Sequence, residues 1–313
     1  MKSSLHCLPC FLQQTIKAAQ LSTPEPALHK KIVDHIARLL PSLDLRQSPP
    51  ENSMPVYQAI AELSGCADPF AHLKRQSNLF ALGLADQVRA TIAASADPLA
   101  TALLFSMAGN IIDYGSQQDF DAEAALAACQ HTPPAINDYP ALRQGLATGG
   151  LLLYLGDNAG EIVFDALVIE TLQQQRPGLE IIYAVKESAI INDALMADAH
   201  ACGLPESCRV ISNGTACPGT PLAHCTPEFR ALFARADQII SKGQGNYETL
   251  SEIQAPISFL LTVKCPLVAA HLQEQSGTTI QKGDLVLMRG RGRSRAPGAC
   301  QAGTRKKDPS SPG

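Results

Sequence analysis

Five consecutive apolar residues, Leu151 to Leu155, run directly into Gly156-Asp157-Asn158-Ala159-Gly160-Glu161. A run this short, bounded by glycines, reads as a buried strand that ends at a sharp turn on the edge of a sheet. Small residues at 156, 159 and 160 let the backbone turn and approach a ligand, while Asp157 and Asn158 carry the hard oxygen donors that Mg²⁺ and Mn²⁺ take. A β-turn leading into a capped helix uses the same residue types, and on this segment alone the two readings weigh about equally.

The same arrangement recurs through the second half of the chain. Glu180 to Val185 leads to Lys186-Glu187-Ser188 and then Asn192-Asp193, and Arg209 to Ile211 leads to Ser212-Asn213-Gly214-Thr215. Gln238 to Ile240 opens onto Ser241 to Glu248, and Ser258 to Val263 ends on Lys264-Cys265-Pro266. Helical segments such as Ile162 to Gln173 and Leu267 to Gln275 lie between them. Strands alternating with short helices imply a parallel sheet with right-handed crossovers, and such sheets bind ligands outside the carboxyl ends of their strands. All five polar clusters are therefore expected on one edge.

The first half, to about residue 145, shows helical periodicity without strand signals. Leu28, Ile32, Ile36, Leu39 and Leu40 form one apolar stripe stopped by Pro41, and Ala100 to Ile112 is a second helix. The proline-rich stretch Thr132 to Pro140 reads as a connection. The expected organisation is a helical domain over residues 1–145, a sheet domain over 146–288 ending in a strand at Asp284 to Met288, and a disordered basic tail over 289–313.

That tail holds seven of the 25 basic residues and one of the 29 acidic ones, so the body it leaves is net acidic. Its Gly, Pro and Ser content cannot bury a core. A phosphate-binding arm and a non-native end after Met288 are both consistent with it, but an acidic body with no aromatic residues among the arginines argues against nucleic acid as a partner. With 45% hydrophobic and 17% charged residues in 313, the composition is that of a globular protein. No apolar run approaches the roughly 18 residues needed to span a bilayer, and Met1 to Gln14 lacks the apolar centre of a signal peptide. The expectation is a cytoplasmic protein with no membrane partner and reduced thiols; the oligomeric state is not legible.

Gly109-Asn110-Ile111-Ile112-Asp113, Gly156 to Glu161, Ile190-Ile191-Asn192-Asp193, Ser212-Asn213-Gly214, Lys242-Gly243-Gln244-Gly245-Asn246-Tyr247-Glu248 and Thr262 to Pro266 occur in that order. Together they resemble the metal-dependent damage-control phosphatases, long catalogued as domain of unknown function eighty-nine. The Cys7-x-x-Cys10 pair is similar to the start of the prokaryotic-type branch of that family. The resemblance implies a helical domain packed on a Rossmann-like α/β/α sandwich with a mostly parallel sheet. It also implies hydrolysis of phosphomonoesters of small metabolites, such as sugar phosphates, with Mn²⁺, Co²⁺, Ni²⁺ or Mg²⁺. It places the metal on Asp157, Asn158 and Asp193 and gives Lys264 the part of the phosphate-binding lysine. Another branch carries Arg-Thr-x-Lys where this chain has Leu261-Thr262-Val263-Lys264, so an arginine contact is missing or supplied elsewhere.

The residues support that chemistry independently. Two carboxylates and an amide can hold a hard cation with positions left for water and a phosphate oxygen. Lys264, closing an apolar strand, is expected to be buried and to need an anion. Backbone N–H groups at Gly214 and Gly243 to Gly245 are candidates to cradle phosphate oxygens. Asn110, Asp113, Asn192, Ser212, Asn213, Lys242 and Asn246 are candidates to line the cleft, and Glu161 is either a partner of the metal ligands or an ordinary first-turn acid. Asn110 and Asp113 fit helix capping equally well.

Cys7 and Cys10 have the spacing of half a zinc site, but no second such pair completes it. Two other function classes stay open: an S-adenosylmethionine-dependent carboxyl methyltransferase on the same sheet, and a non-enzymatic metabolite-binding or redox-sensing module built on the cysteine pair. No strand is followed by the Gly-x-Gly-x-x-Gly pattern of a dinucleotide site.

Overall fold

A computed structural model describes residues 1–112 and 132–292, with the side chains of residues 110–112 left undescribed. The first half is helical: α1 (Cys7–Ser22), α2 (Pro26–Leu39), α3 (Pro49–Ser64), α4 (Ala71–Ala94) and α5 (Pro98–Ile112). Local signals set these limits. Ser48 caps α3 by accepting from the Glu51 N–H while the Glu51 side chain reaches back, Pro49 occupies the first position, and Gly65 ends the helix at φ 67°. Helices α1, α2 and α3 enclose a small core of Ala18, Ala19, Ile32, Ile36, Val56 and Ile60.

The second half is a seven-stranded sheet: β1 (Ile136–Asn137), β2 (Leu151–Leu155), β3 (Glu180–Val185), β4 (Arg209–Ser212), β5 (Gln238–Lys242), β6 (Ile257–Thr262) and β7 (Leu285–Arg289). Its order is β1-β7-β6-β5-β2-β3-β4. Strands β2 to β6 pair in parallel, and β7 runs antiparallel to β6. The α/β architecture with a mostly parallel sheet is the one the sequence implies. The stretch expected to be a pure connection carries β1, which pairs with β7 through Ile136↔Val286 and Asn137↔Leu287. Two residues flanked by prolines hold no alternation that would reveal a strand.

The remaining helices are α6 (Tyr139–Thr148), α7 (Glu161–Gln175), α8 (Met196–Ala201), α9 (Leu204–Ser207), α10 (Pro227–Arg235), α11 (Gln244–Leu250) and α12 (Pro266–Ser276). Alternate residues of β2 supply the two faces of the sheet: Leu152 and Tyr154 join the core shared with α4, α5 and α7, while Leu153 and Leu155 join the core under α10, α11 and α12. Helix α7 is covered both by the sheet and by the helical layer, so eleven of its residues, including Glu161 and Asp165, are buried. No helix among the described residues is long and apolar enough to cross a membrane.

The chain runs from β2 outward to β3 and β4, then returns to lay β5 and β6 on the other side of β2. The strand order therefore reverses between β2 and β5, and the carboxyl ends of those two strands flank the crevice where open α/β sheets bind ligands.

Candidate active site

Asp157 and Asn158 follow β2, Asp193 lies in the loop after β3, and Gly243 follows β5. Backbone bonds lock the first two loops together: Ala194 N–H donates to Asp157 O at 2.8 Å, Ala159 N–H to Asn192 O at 2.9 Å, and Asn158 bridges Asp193. Gly243 sits against the Asp157 side chain so closely that a Cβ there would overlap the carboxylate, and its φ of 81° suits glycine. The Asp157 carboxylate thus packs on Gly243 at the strand reversal.

Both amide hydrogens of Asn158 are committed, to Asp157 Oδ2 at 2.8 Å and to Glu161 Oε1 at 2.7 Å, so only its carbonyl oxygen can act as a ligand. Glu161 is in turn held by Lys242, whose Nζ lies 3.1 Å from Glu161 Oε2 and 2.8 Å from Asp165 Oδ1. Asp193 is completely buried, and among the described residues neither of its carboxylate oxygens has a hydrogen-bond partner. Lys186 Nζ lies 3.7 Å from Asp193 Oδ2 and donates to Gly219 O at 2.7 Å and Asn246 Oδ1 at 3.3 Å.

Burial pushes the Asp193 carboxyl well above its ordinary range, with Lys186 opposing and Asp157 adding to the rise. Asp157 is raised by burial too and held back by Lys264, Lys186 and Lys242. Burial carries Glu161 up to about 7 against the pull of Lys242. A buried carboxylate without donors is costly, and a hard cation would satisfy it. Among the described residues no three His, Cys, Asp or Glu side chains form a metal-holding group. Two carboxylates and one amide oxygen, all hard donors, come together here, and among the described residues no hydrogen bond is donated to Asp193, so Asp157, Asn158 and Asp193 fit a divalent cation.

Residues 3–280 match the family model of the damage-control phosphatase ARMT1-like domain. The chain belongs to that family. A damage-control phosphatase of Pyrococcus horikoshii is 33% identical over 299 residues, covering 92% of this chain and 98% of the relative. A damage-control phosphatase of Archaeoglobus fulgidus is 30% identical over 291 residues, covering 90% and 99%. The crystal structure of a DUF89 family protein from Pyrococcus horikoshii superposes with a TM-score of 0.85 at 32% identity, covering 93% of this chain and all of that one.

In this member of the damage-control phosphatase family, several side chains expected at the cleft are placed otherwise. Lys264 is exposed, two residues beyond β6, so the expected burial cost does not arise; its charge still acts on Asp157, Glu161 and Asp193 from the solvent side. Lys242 is buried in its ion pairs and is not available to a phosphate. The Gly214 N–H donates to Ser212 Oγ and the Gly243 N–H to Leu260 O, which removes both from the expected phosphate cradle. Gly245 is packed beneath Pro218 O.

Ser212 bonds Glu187 in the loop after β3, and Asn213 bonds Thr215 N and Thr220 Oγ1 in its own loop, so the loop after the outer strand β4 is tied to its neighbour and to itself. Asn246 holds the strand ends together by donating to Gly156 O and Lys242 O. Asn192 contributes its backbone carbonyl to the lock described above, with its side chain half-buried. The side chain of Asn110 and all of Asp113 lie outside the described residues. Cys7 and Cys10 are free thiols at the start of α1, and no disulfide occurs among the described residues.

Sequence reasoning gives no role to Lys186, Asp165 or Asn78. Lys186 directly follows β3 and stands in a strand-end polar cluster, but nothing local ties it to Asp193. Asp165 in the middle of α7 reads as a surface acid until both faces of that helix are seen to be covered.

Proposed function

We propose that the chain is a divalent-metal-dependent phosphatase acting on phosphomonoesters of small metabolites, sugar phosphates among them. One observation carries the reading: Asp193, fully buried beside Asp157 and Asn158, has two carboxylate oxygens and, among the described residues, no hydrogen-bond donor for either. Asp157, the Asn158 carbonyl oxygen and Asp193 would hold the cation, which when bound neutralises phosphoryl charge and lowers the pKa of water.

The chain's own residues do the rest. Glu161 and Asp157 orient the Asn158 amide, Lys242 fixes Glu161, and Lys186 sets the charge behind Asp193. Lys264, exposed beyond β6, would meet an incoming phosphate from solvent as a point charge and not as a buried clamp. Catalysis of this kind is electrostatic and positional. The names of the two relatives favour phosphatase chemistry over carboxyl methyl transfer. The Cys7-x-x-Cys10 pair and the division of the chain near residues 145 and 288 belong to the same reading.

The test is hydrolysis of an aryl phosphate after exhaustive chelation, then with Mn²⁺, Co²⁺, Ni²⁺ or Mg²⁺ restored. Turnover lost with chelator and recovered with one or more of these ions supports the proposal; equal turnover in chelator and in metal overturns it.

A further inference from the structure

The helical layer reaches the loops of the candidate site through Asn78, in the first half of α4. This side chain is 4% exposed and spends both ends of its amide on the sheet domain. Its Oδ1 accepts from the Gly160 N–H at 2.7 Å, and its Nδ2 donates to Asp198 Oδ1 at 2.9 Å. Gly160 stands two residues beyond Asn158, at the start of α7; Asp198 stands five residues beyond Asp193, in the first turn of α8.

The approach is close on both sides. Gly160 has φ 84°, and a Cβ there would come within 3.0 Å of Ser77 Cβ, so α4 rests directly on the turn that follows Asn158. Asp198 is anchored from its own side by the Leu195 N–H at 2.9 Å on Oδ2, and Lys74, one turn before Asn78 on α4, brings its Nζ to 3.8 Å from the same oxygen. Lys74 is itself paired with Asp68 at 2.6 Å.

The two loops that carry Asp157, Asn158 and Asp193 are joined to each other by backbone bonds at the crevice. Behind it, the helices they lead into are joined by one asparagine from a different layer. We propose that Asn78 is a positioning residue for the divalent-cation site, fixing the spacing between the Asp157-Asn158 loop and the Asp193 loop by bonding Gly160 and Asp198 together. The inference rests on the metal-dependent reading above. An amide suits the task because it offers one acceptor and one donor in a fixed plane, and both of its partners are buried groups that would otherwise be left unsatisfied.

The test measures Mn²⁺ affinity by isothermal titration, with kcat at saturating Mn²⁺ recorded alongside. Asn78→Asp keeps the acceptor for Gly160 but sets a carboxylate against Asp198; it should weaken Mn²⁺ binding about tenfold or more. Adding Asp198→Asn restores a donor–acceptor pair with its polarity reversed and should return the dissociation constant to within about threefold of the parent. Asn78→Ser, too short to reach both loops, is read in the same way should Asn78→Asp not fold.

A merely structural clamp would lower the melting temperature while leaving the dissociation constant of the folded protein in place. A folded Asn78 variant that binds Mn²⁺ within twofold of the parent, or a double variant no better than Asn78→Asp, overturns the inference and leaves the metal site standing. A parent that binds no divalent cation removes the functional reading itself and this inference with it.

Discussion

Asp165 and Asp193 are equally buried, yet their surroundings are opposite. Asp165 collects four donors: Ser106 Oγ at 2.6 Å, Tyr154 OH at 2.8 Å and Lys242 Nζ at 2.8 Å on Oδ1, and Tyr183 OH at 2.8 Å on Oδ2. Asp193 has none. The first lies on the buried face of α7, where the helical layer, the helix and the sheet meet, and its network ties the three together. The second lies at the strand ends, where a donor on the protein would compete with a ligand. Burial alone does not mark a functional acid; burial without satisfaction does.

Replacing Asp193 breaks the comparison most severely. Asp193→Asn should reduce phosphate ester hydrolysis by roughly a hundredfold or more, the scale for removing one preorganised electrostatic contact, while leaving the melting temperature at or above that of the metal-free parent. Steady-state rates and thermal melts on the same preparation check both halves.

Asp165→Asn should do the reverse. It strips a carboxylate from Lys242 and sets an amide donor among existing donors, at a cost of about 3–5 kcal/mol in stability. Urea denaturation measures this; a variant as stable as the parent would mean that the network beneath α7 is not what holds the layers together.

Glu248 gives an intermediate case, buried and held by one donor, Gln244 Nε2 at 2.9 Å. Burial pushes its carboxyl from the ordinary 4.5 up to about 7. The folded protein then binds this proton more tightly than the unfolded chain does. The resulting stability is fully present below about pH 4.5 and is lost as pH rises through about 7. Glu248→Gln should remove that loss, so the variant gains on the parent by about 3 kcal/mol between pH 4.5 and 8. Denaturation curves across that range that stay parallel for the two proteins would place the Glu248 titration elsewhere.

The smallest effect is expected at Lys264. Being exposed, it interacts through solvent, and Lys264→Ala should weaken inhibition by inorganic phosphate by only about fivefold, near 1 kcal/mol, and leave stability within about 0.5 kcal/mol. Inhibition constants measured at low and high salt check this, with the difference shrinking as salt rises.

The sheet was legible because its central strands are apolar runs that end in glycine and acid, a pattern confined to a few adjacent residues. The last strand lies one residue later than expected, at Leu285–Arg289, and β1 was hidden because two residues carry no period. Asp157 and Asn158 stand directly beyond β2 and Asp193 in the loop after β3, so their nearness to one another could be read from the strand order. Lys242 could be named too, but not its use, because Asp165 lies 77 residues away in sequence. Lys264 misled for the opposite reason: the apolar strand before it predicted burial, while the chain leaves the sheet two residues earlier. Asn78 was beyond reach, since its partners are 82 and 120 residues distant. Local pattern reveals where a site is, and side chains from other layers decide how it is held.

The central claim is that Asp193 is unsatisfied because it receives a cation. Melting temperatures of the parent and of Asp193→Asn, each taken in chelator and in millimolar Mn²⁺, test it most directly. Mn²⁺ should raise the parent by several degrees, as a ligand bound only to the folded state must, and leave the variant unmoved. A parent indifferent to Mn²⁺, or a variant stabilised as much as the parent, would contradict it.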